Sequence, residues 1–121
     1  MSKRILVVED HEENRRILRD LLTSAGYEIV EAVTGEEGVT LAESEHPDLI
    51  LMDIQLPGID GYETTRRIKA NPASSRIPII AVTSYALSGD DVKALAAGCD
   101  AYVTKPFSPR ALLAKVREYV P

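Results

Sequence analysis

The sequence predicts an α/β domain in which five strand–helix units build one parallel sheet with helices on both faces, a doubly wound arrangement. Three observations carry this. Short apolar runs alternate with helical patterns five times, the runs falling at residues 5–8, 27–33, 49–52, 77–82 and 101–103. Most runs are continuous rather than strictly alternating, as expected of strands buried on two faces. The chain of 121 residues is the size of one domain. Such a domain buries roughly 65–70% of its unfolded surface and needs no metal or disulfide to stay folded.

The intervening stretches carry recognisable helix ends. In the first, Ile17, Leu18, Leu21, Leu22 and Ala25 form one apolar stripe and Gly26 is a C-terminal stop. Thr34 with Glu37, and Asp60 with Glu63, have the spacing of capping boxes and open the second and third helices. Ser88, followed by Asp90 and Asp91, opens the fourth, with acids at the positive end of the helix dipole, and Gly98 closes it. Ser108 before Pro109 opens the fifth, whose inward residues are Leu112, Leu113, Val116 and Val120. The periodicity defines the units but not the order of the strands in the sheet.

Composition excludes several function classes. Fourteen Lys and Arg against nineteen Asp and Glu leave a net charge of −5, which argues against binding nucleic acid through its phosphates. Cys99 is the only cysteine, so no internal disulfide can form, and a reducing compartment is expected. After Lys3 and Arg4 the apolar run is broken by Glu9 and Asp10, too early for a signal peptide, and no stretch approaches a membrane span. The expectation is a cytoplasmic single domain over residues 1–121. It contains no repeat, low-complexity tract or linker.

Open parallel sheets bind ligands beyond the carboxyl ends of their strands, where the strand order reverses. Those ends carry Glu9 and Asp10 after the first run, Asp53 after the third, Thr83 after the fourth, and Lys105 with Pro106 after the fifth. Each has a bland reading: a helix cap for Glu9 or Asp10, a turn opener for Asp53, a common strand residue for Thr83, a solvated charge for Lys105. Their conjunction on one sheet edge favours a site. Two carboxylates about 5 Å apart repel by roughly 3 kcal/mol at an effective dielectric near 20, so three clustered acids raise one another's pKa or recruit a cation. Hard oxygen ligands suit Mg²⁺ or Mn²⁺ rather than zinc. His11 is expected to face solvent, and His46 sits before Pro47 at a helix end; neither is expected to extend the site. A carboxylate beside such a cation and a lysine can act as a nucleophile toward phosphorus.

At this point the sequence resembles, along its whole length, the response-regulator receiver domains of two-component signalling. The resemblance rests on Glu9-Asp10, on Asp53 within LILMDIQLPGIDG, on Thr83 within IIAVTSYA, and on Lys105-Pro106 within AYVTKPF. It implies a flavodoxin-like five-stranded sheet in the order 2-1-3-4-5. It also implies that Asp53 accepts a phosphoryl group from a histidine kinase or histidine phosphotransfer protein. Asp10, Asp53 and the backbone carbonyl of Gln55 would bind Mg²⁺ directly, and Glu9 through water. Lys105 would neutralise a phosphoryl oxygen, Thr83 would donate to another, and Tyr102 would be the aromatic switch. The family usually has a cis peptide before the proline matching Pro106. Gln55, Ser84 and Tyr85 occupy the positions that tune hydrolysis of the acyl phosphate. Tyr62 and Tyr119 are expected to pack on helices, and Cys99 to be a small buried residue.

Two rivals use related chemistry. A phosphatase of the haloacid-dehalogenase type also has a strand-end Asp nucleophile and Mg²⁺, but it places a second Asp where this chain has Gln55. A flavin-binding electron carrier cradles phosphate in a Ser/Thr/Gly-rich loop, where this chain has the acidic stretch 9–13. The receiver reading implies a chain that accepts phosphoryl groups and hydrolyses its own acyl phosphate rather than a dedicated enzyme. Its output would be a protein-interaction surface on the fourth helix, fifth strand and fifth helix, contacting a downstream protein target or a second copy in a homodimer. A stand-alone receiver is expected first, and a receiver from a hybrid kinase or longer regulator second.

Overall fold

The computed structural model describes residues 2–83 and 90–121, and within them strands and helices alternate as the sequence predicts. The strands are β1 (Arg4–Val8), β2 (Glu28–Ala32), β3 (Leu49–Asp53), β4 (Ile79–Thr83) and β5 (Ala101–Thr104). The helices are α1 (Glu12–Ser24), α2 (Gly35–Glu45), α3 (Gly61–Ala70), α4 (Asp90–Ala97) and α5 (Pro109–Tyr119). All neighbouring strands are parallel, and their order is β2-β1-β3-β4-β5. The chain leaves β1 toward one edge and returns past it to β3, which makes β1 and β3 the pair at the reversal of strand order.

The two-residue period of the strands divides the core into two layers. Leu6, Val8, Ile50, Met52, Ile79 and Ala81 face one way, packing with Ala42, Ile68 and Ala94 of α2, α3 and α4. Ile5, Val7, Leu49, Leu51, Ile80 and Val82 face the other, against Leu18 and Leu22 of α1 and Leu112 and Val116 of α5. β3 and β4 are buried at every position, whereas β2 and β5 at the two edges are part-exposed. That accounts for the continuous apolar runs in the middle of the sheet.

Every strand differs by one or two residues from its apolar run, and two of the differences have a visible cause. Only 28–32 of the run 27–33 pairs with β1. Tyr27 is buried below the sheet, where its hydroxyl donates to the Val120 carbonyl at the end of α5. In the run at 77–82 the strand starts at Ile79: the Ile77 N–H closes a turn on the Ser74 carbonyl, and Pro78, with no N–H to give, pairs with β3 only through its carbonyl, which accepts from the Ile50 N–H. The caps are largely as read. Thr34, Asp60 and Ser108 accept from the backbone N–H groups of Glu37, Glu63 and Ala111 at 3.1, 2.9 and 3.3 Å. Gly26 and Gly98 follow α1 and α4 at φ +96° and +114°, a conformation that favours glycine. Ser88, expected to open α4, lies outside the described residues, as do Ser84 and Tyr85. Tyr62 and Tyr119 pack against the two core layers, and Cys99 is buried beside Thr65.

Candidate phosphoryl and cation site at the carboxyl edge of the sheet

Backbone pairing continues just past the strands and sets the site residues in register. The Glu9 N–H donates to Ala32, that of Ile54 to Val82, and that of Lys105 to Thr83, at 3.0, 3.1 and 2.7 Å. Glu9, Asp53, Thr83 and Lys105 therefore lie side by side along one edge. The Lys105–Pro106 peptide is cis.

At the centre, one ammonium serves two buried carboxylates. Lys105 Nζ donates to Glu9 Oε1 at 3.0 Å and to Asp53 Oδ1 at 3.4 Å, while Glu9 and Asp53 are only 2% and 3% exposed. The charges do not balance, and the pKa values divide accordingly. Burial pushes the Glu9 carboxyl up, but the His11 backbone N–H and the Lys105 ammonium more than offset that, leaving it below its usual value. Asp53 is raised from 3.8 to about 6, by burial first and by the Glu9 charge second, with Lys105 only partly compensating. Burial pulls Lys105 down, yet the two carboxylates hold it above its usual value, so it stays cationic. Such a cluster is short of positive charge.

Asp10 makes the shortage explicit. Its Oδ1 is buried without a hydrogen-bond partner among the described residues. The helix-cap alternative is not realised, since the N-cap of α1 is His11 and no side chain caps the helix. An orphaned carboxylate oxygen beside two further acids is a donor set that fits a divalent cation.

Three residues that the sequence reading left out of the site build the walls: His11, set aside there, and Asn14 and Arg15, not named there. His11 was expected to stand apart in solvent. Its ring is 68% exposed, but the extended conformation at the N-cap turns Nδ1 back to within 3.3 Å of both Glu9 Oε2 and Asp10 Oδ1. Asn14 Nδ2 donates to Glu9 Oε1 at 3.4 Å, and the Arg15 guanidinium donates to the Glu9 carbonyl at 2.9 Å while pairing with Glu31 of β2 and Glu12. The available signal was their place in the opening turns of α1, whose side chains lean back toward the strand end.

The remaining predicted residues stand further out. Gln55 donates its backbone N–H to Asp53 Oδ1 at 3.3 Å, and its Nε2 donates to Thr83 Oγ1 at 3.3 Å, so Thr83 joins the site through Gln55. Tyr102 is 40% exposed on edge strand β5. An open apolar cleft of about 460 Å³ adjoins Glu9 and Lys105, walled by Ile17, Leu18, Pro106, Phe107 and Pro109.

Comparison with known proteins agrees with this geometry. The family model for the response regulator receiver domain matches residues 5–117. The polar-differentiation response regulator DivK of Brucella ovis is 42% identical over 120 residues, covering 99% of this chain and 98% of that protein. The receiver domain of a sensor histidine kinase from Pseudomonas aeruginosa, solved with a magnesium ion coordinated in its active-site cleft, is 39% identical with a TM-score of 0.91 over 98% of both chains. A chemotaxis protein of Vibrio cholerae, 25% identical, superposes with a TM-score of 0.93 over 99% of this chain and 100% of that one. No helix among the described residues is long and apolar enough to cross a membrane. With the strand order, the acid–lysine edge and the family match in agreement, the chain belongs to the response-regulator receiver domains of two-component signalling.

Proposed function

We propose that Asp53 accepts a phosphoryl group from a phosphohistidine on a histidine kinase or phosphotransfer protein, and that the modified domain signals through a protein-interaction surface. The observation that carries this reading is a buried Asp53 carboxylate held 3.4 Å from the Lys105 ammonium, with a second buried carboxylate on that same ammonium. Asp53 is the nucleophile, and Lys105 lies where it can take up charge on the incoming phosphoryl oxygens. Thr83, whose Oγ1 accepts from Gln55 Nε2, donates its hydroxyl proton to another of those oxygens. Asp10, Asp53 and the Gln55 carbonyl would hold Mg²⁺, with Glu9 acting through water; the orphaned Asp10 oxygen and the acid excess support this. The bound ion supplies charge neutralisation and orientation at the phosphoryl group. The apolar cleft beside Lys105 offers a partner protein contact area next to the phosphoacceptor.

A second reading concerns context only: the likeness to the Pseudomonas kinase receiver supports a receiver domain within a larger kinase as well as a free-standing regulator. Incubation with a small phosphodonor and Mg²⁺ should add one phosphoryl mass to the intact chain. Chelation of the metal or Asp53→Asn should abolish the addition. Undiminished labelling of the Asn variant would overturn the proposal.

A further inference from the structure

Beside the Asp53–Lys105 contact, the stretch Glu9-Asp10-His11 gathers three ligand-bearing side chains, of which His11 has no part in the Mg²⁺ reading. One ligand atom from each lies within 4.8 Å of the others. His11 Nδ1 is 3.3 Å from Glu9 Oε2 and also 3.3 Å from Asp10 Oδ1. The backbone N–H of His11 donates to the same Glu9 oxygen at 3.1 Å, which fixes that carboxylate toward the ring.

A hydrogen-bonding role alone does not account for this arrangement. The contact to Glu9 has hydrogen-bond geometry, but the one to Asp10 does not, and Asp10 Oδ1 remains buried without a partner among the described residues. One Nδ1 proton satisfies one of the two oxygens. A cation shared by the three atoms would satisfy both. His11 Nδ1 stands 3.3 Å from each oxygen, the separation of two ligands held at about 2.0–2.1 Å by a tetrahedral ion, and the two oxygens lie within 4.8 Å of each other.

We infer that His11 makes the acidic pocket a mixed nitrogen–oxygen site, adding a direct ligand for borderline divalent cations such as Zn²⁺ or Co²⁺ beside the all-oxygen Mg²⁺ site. The inference rests on the proposed reading of Asp10 and Glu9 as cation-binding acids. The chemistry is in the donor set. Oxygens alone favour Mg²⁺ and Mn²⁺, whereas a neutral imidazole suits zinc, cobalt and nickel and contributes little to Mg²⁺. Zn²⁺ outranks Mg²⁺ at most sites, so tighter zinc binding proves nothing by itself; the share of it that depends on the imidazole is the test.

The experiment is calorimetric titration of the full chain with Zn²⁺ and, separately, Mg²⁺. It compares the parent, His11→Ala and His46→Ala, the last controlling for the other imidazole. His11→Ala loses no side-chain cap bond, because His11 makes none. The expected result is that His11→Ala lowers Zn²⁺ affinity about tenfold or more while lowering Mg²⁺ affinity by far less, and that His46→Ala leaves the Zn²⁺ affinity in place. The Nδ1 resonance of His11 should also move on addition of Zn²⁺ and not of Mg²⁺. Equal losses for the two metals, or an unmoved Nδ1 resonance at saturating Zn²⁺, overturn the inference and leave the Mg²⁺ reading standing. Failure of the parent chain to bind either metal overturns both.

Discussion

Asp53 concentrates the conflict between folding and function in one carboxyl group. Burial and the neighbouring Glu9 charge raise it from 3.8 to about 6, so folding the ionised form is unfavourable without a cation. The folded chain keeps that proton up to about pH 6, whereas the unfolded chain releases it near 3.8. Between those values the folded state binds more protons, so stability falls as pH rises, and the loss is complete above the folded value. Asp53→Asn removes the charge, and in metal-free buffer it should raise stability by on the order of 1–2 kcal/mol at pH 7.5, an effect that shrinks toward zero below about pH 4. Denaturant melts at the two pH values check this; an Asn variant less stable than the parent at pH 7.5 would contradict the unbalanced acid cluster. The acids and the lysine were legible in the sequence because they fall at strand ends. His11, Asn14 and Arg15 were not, because their contribution depends on where α1 begins. Reading an acid as its cap leaves His11 pointing outward, whereas the true N-cap at His11 turns Nδ1 inward.

Elements place these residues through backbone contacts that admit no side chain. Gly61, the first residue of α3, donates its N–H to the Ile54 carbonyl at 3.0 Å. A Cβ there would collide with the Asp53 carbonyl oxygen and come within 2.7 Å of the Ile54 Cα. Nothing flexible can give way, so Gly61→Ala must shift either α3 or the backbone that carries Asp53. It should cost about 1–3 kcal/mol and slow phosphorylation of Asp53. Gly26→Ala is the control: at φ +96° it strains the backbone but meets nothing within 4 Å, so it should lower the melting temperature without altering phosphorylation once the chain is folded. A Gly61→Ala chain phosphorylated at the parent rate would contradict this tight seat. Elements were the most legible level, since the runs, caps and terminal glycines each have a local cause. The strand ends at 28–32 and 79 were less so, because a tyrosine tied to α5 and a turn closed by Ser74 lie beyond any local pattern. Strand order had no signature in the periodicity and came from the family resemblance.

On the scale of the whole molecule, the acid edge and the proposed output face lie at opposite ends of a short path through β4 and β5. Thr83 pairs with Thr104 in the sheet, two residues beyond Tyr102, and its hydroxyl is engaged by Gln55. Val92 and Leu95 of α4 and Tyr102 of β5 are 64%, 53% and 40% exposed. Moving a two-state element from 1:99 to 99:1 takes about 5.5 kcal/mol of differential interaction. One charge-assisted hydrogen bond from Thr83 gives roughly 1.5–3 kcal/mol, so the Lys105 and cation contacts must supply the rest, or the switch stays incomplete. Beryllofluoride with Mg²⁺ should therefore move the Tyr102 ring resonances toward a buried environment. An unchanged Tyr102 in a chain whose Asp53 is occupied would refute the switch and leave the phosphoacceptor intact.

The central claim is that Asp53 carries the phosphoryl group. Its most direct test is to phosphorylate the chain with a small donor and Mg²⁺, reduce the acyl phosphate with borohydride, and locate the reduced residue by peptide mass mapping. The predicted result is one modified position, Asp53, with Glu9 and Asp10 unreduced. Reduction at Glu9 or Asp10 with Asp53 intact would contradict the account.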